Sequence, residues 1–181
     1  MSKRRPVFQN VRSLTVAAML TALSVVIGIF CKNFLNFGAG LFRISFENFP
    51  ILLSGFLFGP IVGCVVGVAT DIISYLLSGQ IYPPNLLVTL GAGLIGAIAG
   101  IVFRTPVQNR HLRIALSVSA AHLIGSMVVK TIGLYQYYGI AVLWRLPIYF
   151  LIAVVETVLL CILLDRSAIR DLIEHISKET L

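Results

Sequence analysis

The chain has 181 residues, 58% of them hydrophobic and only 12% charged, about half the charged share of a soluble domain. So little polar surface cannot cover a water-soluble globule, which excludes a cytosolic enzyme, a disordered chain and a small disulfide scaffold. The 14 Lys+Arg against 7 Asp+Glu sit in blocks at the ends of apolar runs, which is the pattern of membrane orientation rather than of a nucleic-acid surface.

Residues 1–12 hold Lys3, Arg4, Arg5 and Arg12 and no acid. The uncharged run 13–31 is long enough to span a bilayer and has no A-x-A cleavage pattern, so it reads as a first span and not as a signal peptide. Residues 32–48 mix Asn, Gly, aromatic and charged residues, as in a structured loop. A short apolar span, 49–58, stops at Gly59–Pro60, and Pro60 suits the first turn of the third span, 60–77, which carries Asp71. SGQIYPP (78–84) is a loop. The Gly/Ala-rich run 85–103 is a fourth span, and RTPVQNRHLR (104–113) is a basic loop. A long fifth helix, 114–138, contains His122 and Lys130. A short turn, 139–143, leads to the sixth span, 144–164, with Arg145 and Glu156. Residues 165–181 form a charged helical tail.

The expectation is an all-α, polytopic membrane protein: one domain of six transmembrane helices. An even number of spans returns both termini to one side. Ten cations mark that side (the N-terminal block, the 104–113 loop and the tail), against Lys32, Arg43 and Arg145 on the other. Both termini are therefore placed in the cytoplasm, with Tyr135, Tyr137, Tyr138 and Trp144 in an outer aromatic belt. Cys31, Cys64 and Cys161 lack metal or CxxC spacing and read as small hydrophobes.

Small residues recur at every fourth position: Gly55, Gly59, Gly63 and Gly67, then Gly93 with Ala97 and Gly96 with Gly100. Such ridges let helices approach closely. Ala18-x-x-x-Ala22 on the first span has the same spacing, and it reads either as internal packing or as a docking face for another membrane protein. Ionisable residues inside a span are costly and mark candidate sites. His122 and Glu156 lie at the same depth, about 13 Å from the cytoplasmic ends of consecutive antiparallel helices, and are expected to pair. Asp71 and Lys130 lie further out. Asp71 has Ser74, Tyr75 and Ser78 on its face; His122, Ser126 and Lys130 form an i, i+4, i+8 stripe; Arg145, Tyr149 and Glu156 share a third face. Three such stripes can converge on an outward-opening pocket with aromatic walls, in which Asp71 accepts from ring N–H groups and Arg or Lys meets a carboxylate. Ser126, His122 and Asp71 supply the residue types of nucleophilic catalysis, but no G-x-S-x-G or other supporting signature accompanies them. No metal-ligand set is evident, and without G-x-x-x-x-G-K-[ST] the chain has no P-loop of its own.

The stretch RISFENFPILLSGFLFGPIVGCVVGVATDIISYLL, from Arg43 to Leu77, resembles the core signature of S components, the substrate-binding subunits of energy-coupling factor (ECF) vitamin transporters. The matching residues are Arg43, Ser45, Phe46, Pro50, Gly55, Gly59, Pro60, Gly63, Gly67 and Asp71. The folate-specific members are the most similar. The resemblance implies capture of folate from outside a prokaryotic plasma membrane and inward delivery with a transmembrane T component and two ATPase subunits. ATP is then used by the partners only, and no cofactor or metal belongs to this chain. It implies that Ala18 and Ala22 dock on the T component and that the first outer loop and the SGQIYPP loop gate the pocket. Within that frame Asp71 or Glu156 serves the pterin edge, with Asp71 favoured by depth. Phe46, Tyr75, Tyr82 and Tyr149 give ring contacts, and Arg43, Lys130 or Arg145 balances the anionic tail. An S component for another vitamin such as riboflavin or pantothenate, or a stand-alone small membrane transporter, are the alternatives.

Overall fold

The computed structural model describes residues 11–37, 42–78 and 84–166. The basic N-terminus, Tyr82 and the tail beyond Arg166 lie outside the described residues. All six apolar runs are helical. The elements are α1 (Val11–Phe34), a two-strand hairpin of β1 (Asn36–Phe37) and β2 (Phe42–Arg43), α2 (Asn48–Phe58), α3 (Pro60–Leu77), α4 (Leu86–Phe103), α5 (Arg110–Ala121), a π-helical segment (His122–Lys130), α6 (Thr131–Tyr138), a 3-10 segment (Gly139–Arg145) and α7 (Leu146–Asp165).

The boundaries differ from the sequence expectation at four places, each for a local reason. α1 continues past Cys31, so Lys32 is helical; Phe30 and Phe34 pair one turn apart at 4.8 Å. The first loop contains a short antiparallel ladder, Asn36 opposite Arg43, extended by the Ile44 N–H donating to Leu35 at 3.1 Å. The fifth helical run starts at Arg110 because the Asn109 side chain accepts from the backbone N–H groups of His111 and Leu112 (3.1 and 3.3 Å), a helix N-cap. The turn after Tyr138 opens at Gly139 with φ +56° and then winds as a 3-10 helix through Arg145. Gly59 (φ +95°) breaks α2 from α3 as anticipated, with Pro60 in the first turn of α3.

The centre of the bundle is a glycine seam. A methyl group on Gly55 or Gly63 would stand 2.5 Å from the Gly96 carbonyl oxygen, and one on Gly100 would stand 2.6 Å from the Pro60 nitrogen. The backbones of α2 and α3 therefore touch that of α4, and the glycine ridges serve internal packing. Around the seam Leu52, Ile95, Ile114, Leu160 and Leu164 are fully enclosed. The run from Arg110 to Asp165 folds back on itself: Arg110 Nη2 donates to the Leu164 carbonyl at 2.5 Å and His111 Nε2 lies 3.1 Å from Asp165.

Large apolar side chains stay exposed around the outside, among them Ile61, Leu86, Ile132 and Phe150, with Tyr135 and Trp144. Buried polar groups and an apolar exterior suit lipid as solvent. Four stretches, Ser13–Phe34, Pro60–Leu77, Leu86–Phe103 and Arg110–Asp165, are long and apolar enough to cross a membrane, and Asn48–Phe58 is a shorter apolar helix. On α1, Ala17, Leu20 and Ser24 face the bundle while Ala18 and Ala22 are exposed.

Candidate ligand-binding site

The loop ahead of α2, the C-terminal ends of α1 and α3, the N-terminal ends of α4 and α7, the end of the π segment, α6 and the 3-10 segment surround an open cavity. Its charged lining consists of Lys32, Arg43, Lys130 and Arg145 against Glu47 and Asp71, an excess of two positive charges. Tyr75, Tyr137, Tyr138 and Tyr149 supply aromatic wall, and Asn36, Asn48 and Asn85 supply amides. A concave site with flat apolar walls and a few directional polar groups is the usual makeup of a small-molecule pocket.

The charged groups are tied together. Arg43 Nη2 donates to Glu47 Oε2 at 2.8 Å, and Lys130 Nζ lies 3.7 Å from Glu47 Oε1. Lys130, buried on the π segment, also donates to Asn48 Oδ1 at 3.3 Å. Burial pushes the Glu47 carboxyl up, but Arg43, then Lys130 and Lys32, with a hydrogen bond from Ser45, together bring its pKa down to about 2. Arg43 Nε is buried without a hydrogen-bond partner among the described residues, so the cavity wall contains an unsatisfied cationic donor. The Arg145 guanidinium lies over the Tyr138 ring at 4.8 Å, a cation–π contact. Thr89 Oγ1 donates to Asp71 Oδ2 at 2.6 Å. Lys32, in the last turn of α1, donates to the Ser74 carbonyl (3.3 Å) and Ser78 Oγ (3.1 Å). Asn85 caps α4 and donates to the Gly133 carbonyl at 2.5 Å, which joins α4 to α6 at the cavity rim.

The structure thus brings Arg43, Asp71, Tyr75, Lys130, Arg145 and Tyr149 to one cavity. Phe46 is half-buried and is not part of the lining. Sequence reasoning left out Lys32, Glu47, Asn48 and Asn85. The signal for Lys32 was its place immediately after the presumed end of α1 at Cys31, four residues beyond Gly28. The signal for Glu47 and Asn48 was their adjacency to the Arg43-x-Ser45 segment.

Glu156 is not in the cavity. It is fully buried and meets His122, with Oε2 2.6 Å from Nε2, so the expected pair forms. On the other side of the ring, Nδ1 lies 3.3 Å from Ser126 Oγ, so both ring nitrogens have a polar neighbour. This Ser–His–Glu chain has the order of a catalytic triad, but its members are at most 1% exposed. A nucleophile enclosed in this way has no substrate approach, and the chain reads as a polar clamp between the π segment and α7. The π segment is nine residues long, and π turns inside α-helices are frequent at functional sites. This one carries both the clamp and Lys130.

Residues 12–168 match the family described as "ECF transporter, substrate-specific component". The chain is 33% identical over 102 residues to an uncharacterized protein of Mycoplasma pneumoniae, the MG098 homolog, covering 51% of this chain and 20% of that one. It is 28% identical over 123 residues to the folate transporter FolT of Clostridium novyi, covering 67% of this chain and 69% of that one. The chain therefore spans only part of the length of these relatives. A crystal structure of FolT bound with folic acid superposes with a TM-score of 0.63 at 24% identity, over 84% of this chain and 90% of that one, which is a likeness of fold. With the match running through nearly every described element, the chain belongs to the family of substrate-specific components of ECF transporters, multi-pass membrane proteins that bind a transporter's substrate and are not enzymes.

Proposed function

We propose that this chain captures folate from outside the cell and hands it inward with a T component and two ATPase subunits. The observation that carries the reading is the cavity's charge and shape together. Four cations face two carboxylates beside four tyrosines, and folate is a flat ring system ending in a glutamate with two carboxylates. Asp71, whose Oδ2 accepts from Thr89 Oγ1, takes the pterin N–H groups. Tyr75 and Tyr149 contact the rings. Arg43, Lys130 and Arg145 meet the tail, where paired cations and carboxylates form the stronger hydrogen bonds. Similarity to the C. novyi folate transporter supports the ligand. In this reading the six helical runs cross the membrane with both termini cytoplasmic, the cavity opens outward, and Ala18 and Ala22 form the T-component docking face.

Binding of labelled folate to the purified protein tests the ligand. Saturable binding, competed by unlabelled folate and not by riboflavin or pantothenate, is the expected result. Retention of another vitamin in its place would reassign the ligand within the family. Co-purification of a T component and ATPases with the tagged chain tests the assembly, and a chain that transports alone would overturn it.

A further inference from the structure

We propose that Ser24 and Gly28 of α1 are positioning residues for the cavity and act through Glu47. The proposal rests on the ligand reading above for its binding readout. Ser24, Gly28 and Lys32 lie at i, i+4 and i+8, one stripe along α1. Ser24 Oγ, fully buried, donates to the Glu47 backbone carbonyl at 2.5 Å. One turn on, Gly28 lies against the Glu47 side chain: a methyl group there would stand 2.8 Å from Oε2 and 3.5 Å from Cβ. One turn further, Lys32 reaches Ser74 and Ser78 on α3. Both the backbone and the carboxylate of Glu47 are thus set by one face of α1. The same Oε2 atom accepts from Arg43 at 2.8 Å, while Oε1 faces Lys130.

The absence of a side chain at position 28 leaves the carboxylate room for this double contact. An oxygen 2.8 Å from a Cβ atom must move. Because it is the tip of a flexible side chain, the protein folds with alanine there and the carboxylate swings aside. That movement weakens its bond to Arg43 and frees the guanidinium from the place in which ligand meets it. Binding groups need to be held within about 0.5 Å of their productive positions.

The test is a double-mutant cycle of Gly28→Ala and Glu47→Ala, read as the dissociation constant of folate or of whichever vitamin the binding panel identifies. Gly28→Ala is expected to weaken binding about tenfold when Glu47 is present and less than about twofold in the Glu47→Ala background. Glu47→Asp, which shortens the side chain, is expected to restore part of the loss caused by Gly28→Ala. Binding by Gly28→Ala within about twofold of wild type, or an equal loss in both backgrounds, would overturn the proposal. The unfolding temperatures of the same four proteins without ligand give a second reading, with the expected Gly28→Ala decrease vanishing in the Glu47→Ala background. If wild type binds no vitamin, the ligand reading fails, and the thermal cycle still decides whether Gly28 acts through Glu47.

Discussion

At neutral pH the Glu47 carboxylate is ionised beside Arg43 and Lys130, and its pKa of about 2 against an ordinary 4.5 gives the linkage a definite sign. The folded-state value lies below the unfolded one, so the stabilisation is full above pH 4.5 and is lost as pH falls toward 2. The unfolding temperature in detergent is therefore expected to hold level from pH 7 to about pH 5 and then to fall, with Glu47→Gln flattening that fall. A profile unchanged by Glu47→Gln would show that other carboxylates govern it. The His122–Glu156 clamp makes a different demand. Its removal leaves a fully enclosed carboxylate without its partner, and Oε1 already lacks one among the described residues. His122→Ala is expected to cost about 1–3 kcal/mol of stability for the polar group left unpaired, with folate affinity in the surviving folded fraction little altered because the clamp is outside the cavity. Affinity lost in step with the ligand contacts would instead place the clamp in the binding site.

Helices here differ in what their two faces do. At Gly63 and Gly96 the backbones of α3 and α4 meet with no side chain between them, so bulk there must separate the two helices. Gly96→Leu is expected to destabilise the fold by about 3 kcal/mol or to prevent its accumulation, measured by thermal unfolding of the purified protein. Wild-type stability would mean that the seam can open. α1 has the opposite arrangement on its exposed side. Ala18 and Ala22 are exposed, so Ala18→Trp leaves the fold alone while filling the shallow face. Uptake in cells is expected to be abolished, with folate binding by the isolated protein retained; binding lost together with uptake would contradict a docking role. The spacing of small residues was legible in the sequence for both helices. Which ridge is covered was not, since every-fourth spacing describes a smooth face and says nothing of what lies against it.

For the whole chain, the proposed orientation rests on where the cations sit. Single cysteines placed near residue 5 and near residue 175, in a background lacking Cys31, Cys64 and Cys161, are expected to react with a membrane-impermeant maleimide only after the cells are opened, and one placed near residue 80 in intact cells. The reverse pattern would invert the topology and close the cavity to the outside. Composition and run length determined by themselves that the chain is a helical membrane protein, because uncharged apolar runs of about 20 residues satisfy their own backbone in lipid as helices. The break at Gly59–Pro60 and the depth match of His122 with Glu156 were equally legible, since both depend on local geometry and helical rise. Tertiary structure alone decided which polar residues share a site. Arg145, at the N-cap of α7, and Glu156 within it were expected on one face, yet Arg145 enters the cavity and Glu156 turns to His122. Lys32 and Glu47 joined the site only when α1 ran one turn further and the loop folded back over it. Periodicity places a residue on a face, but what that face meets is fixed by contacts from helices distant in sequence.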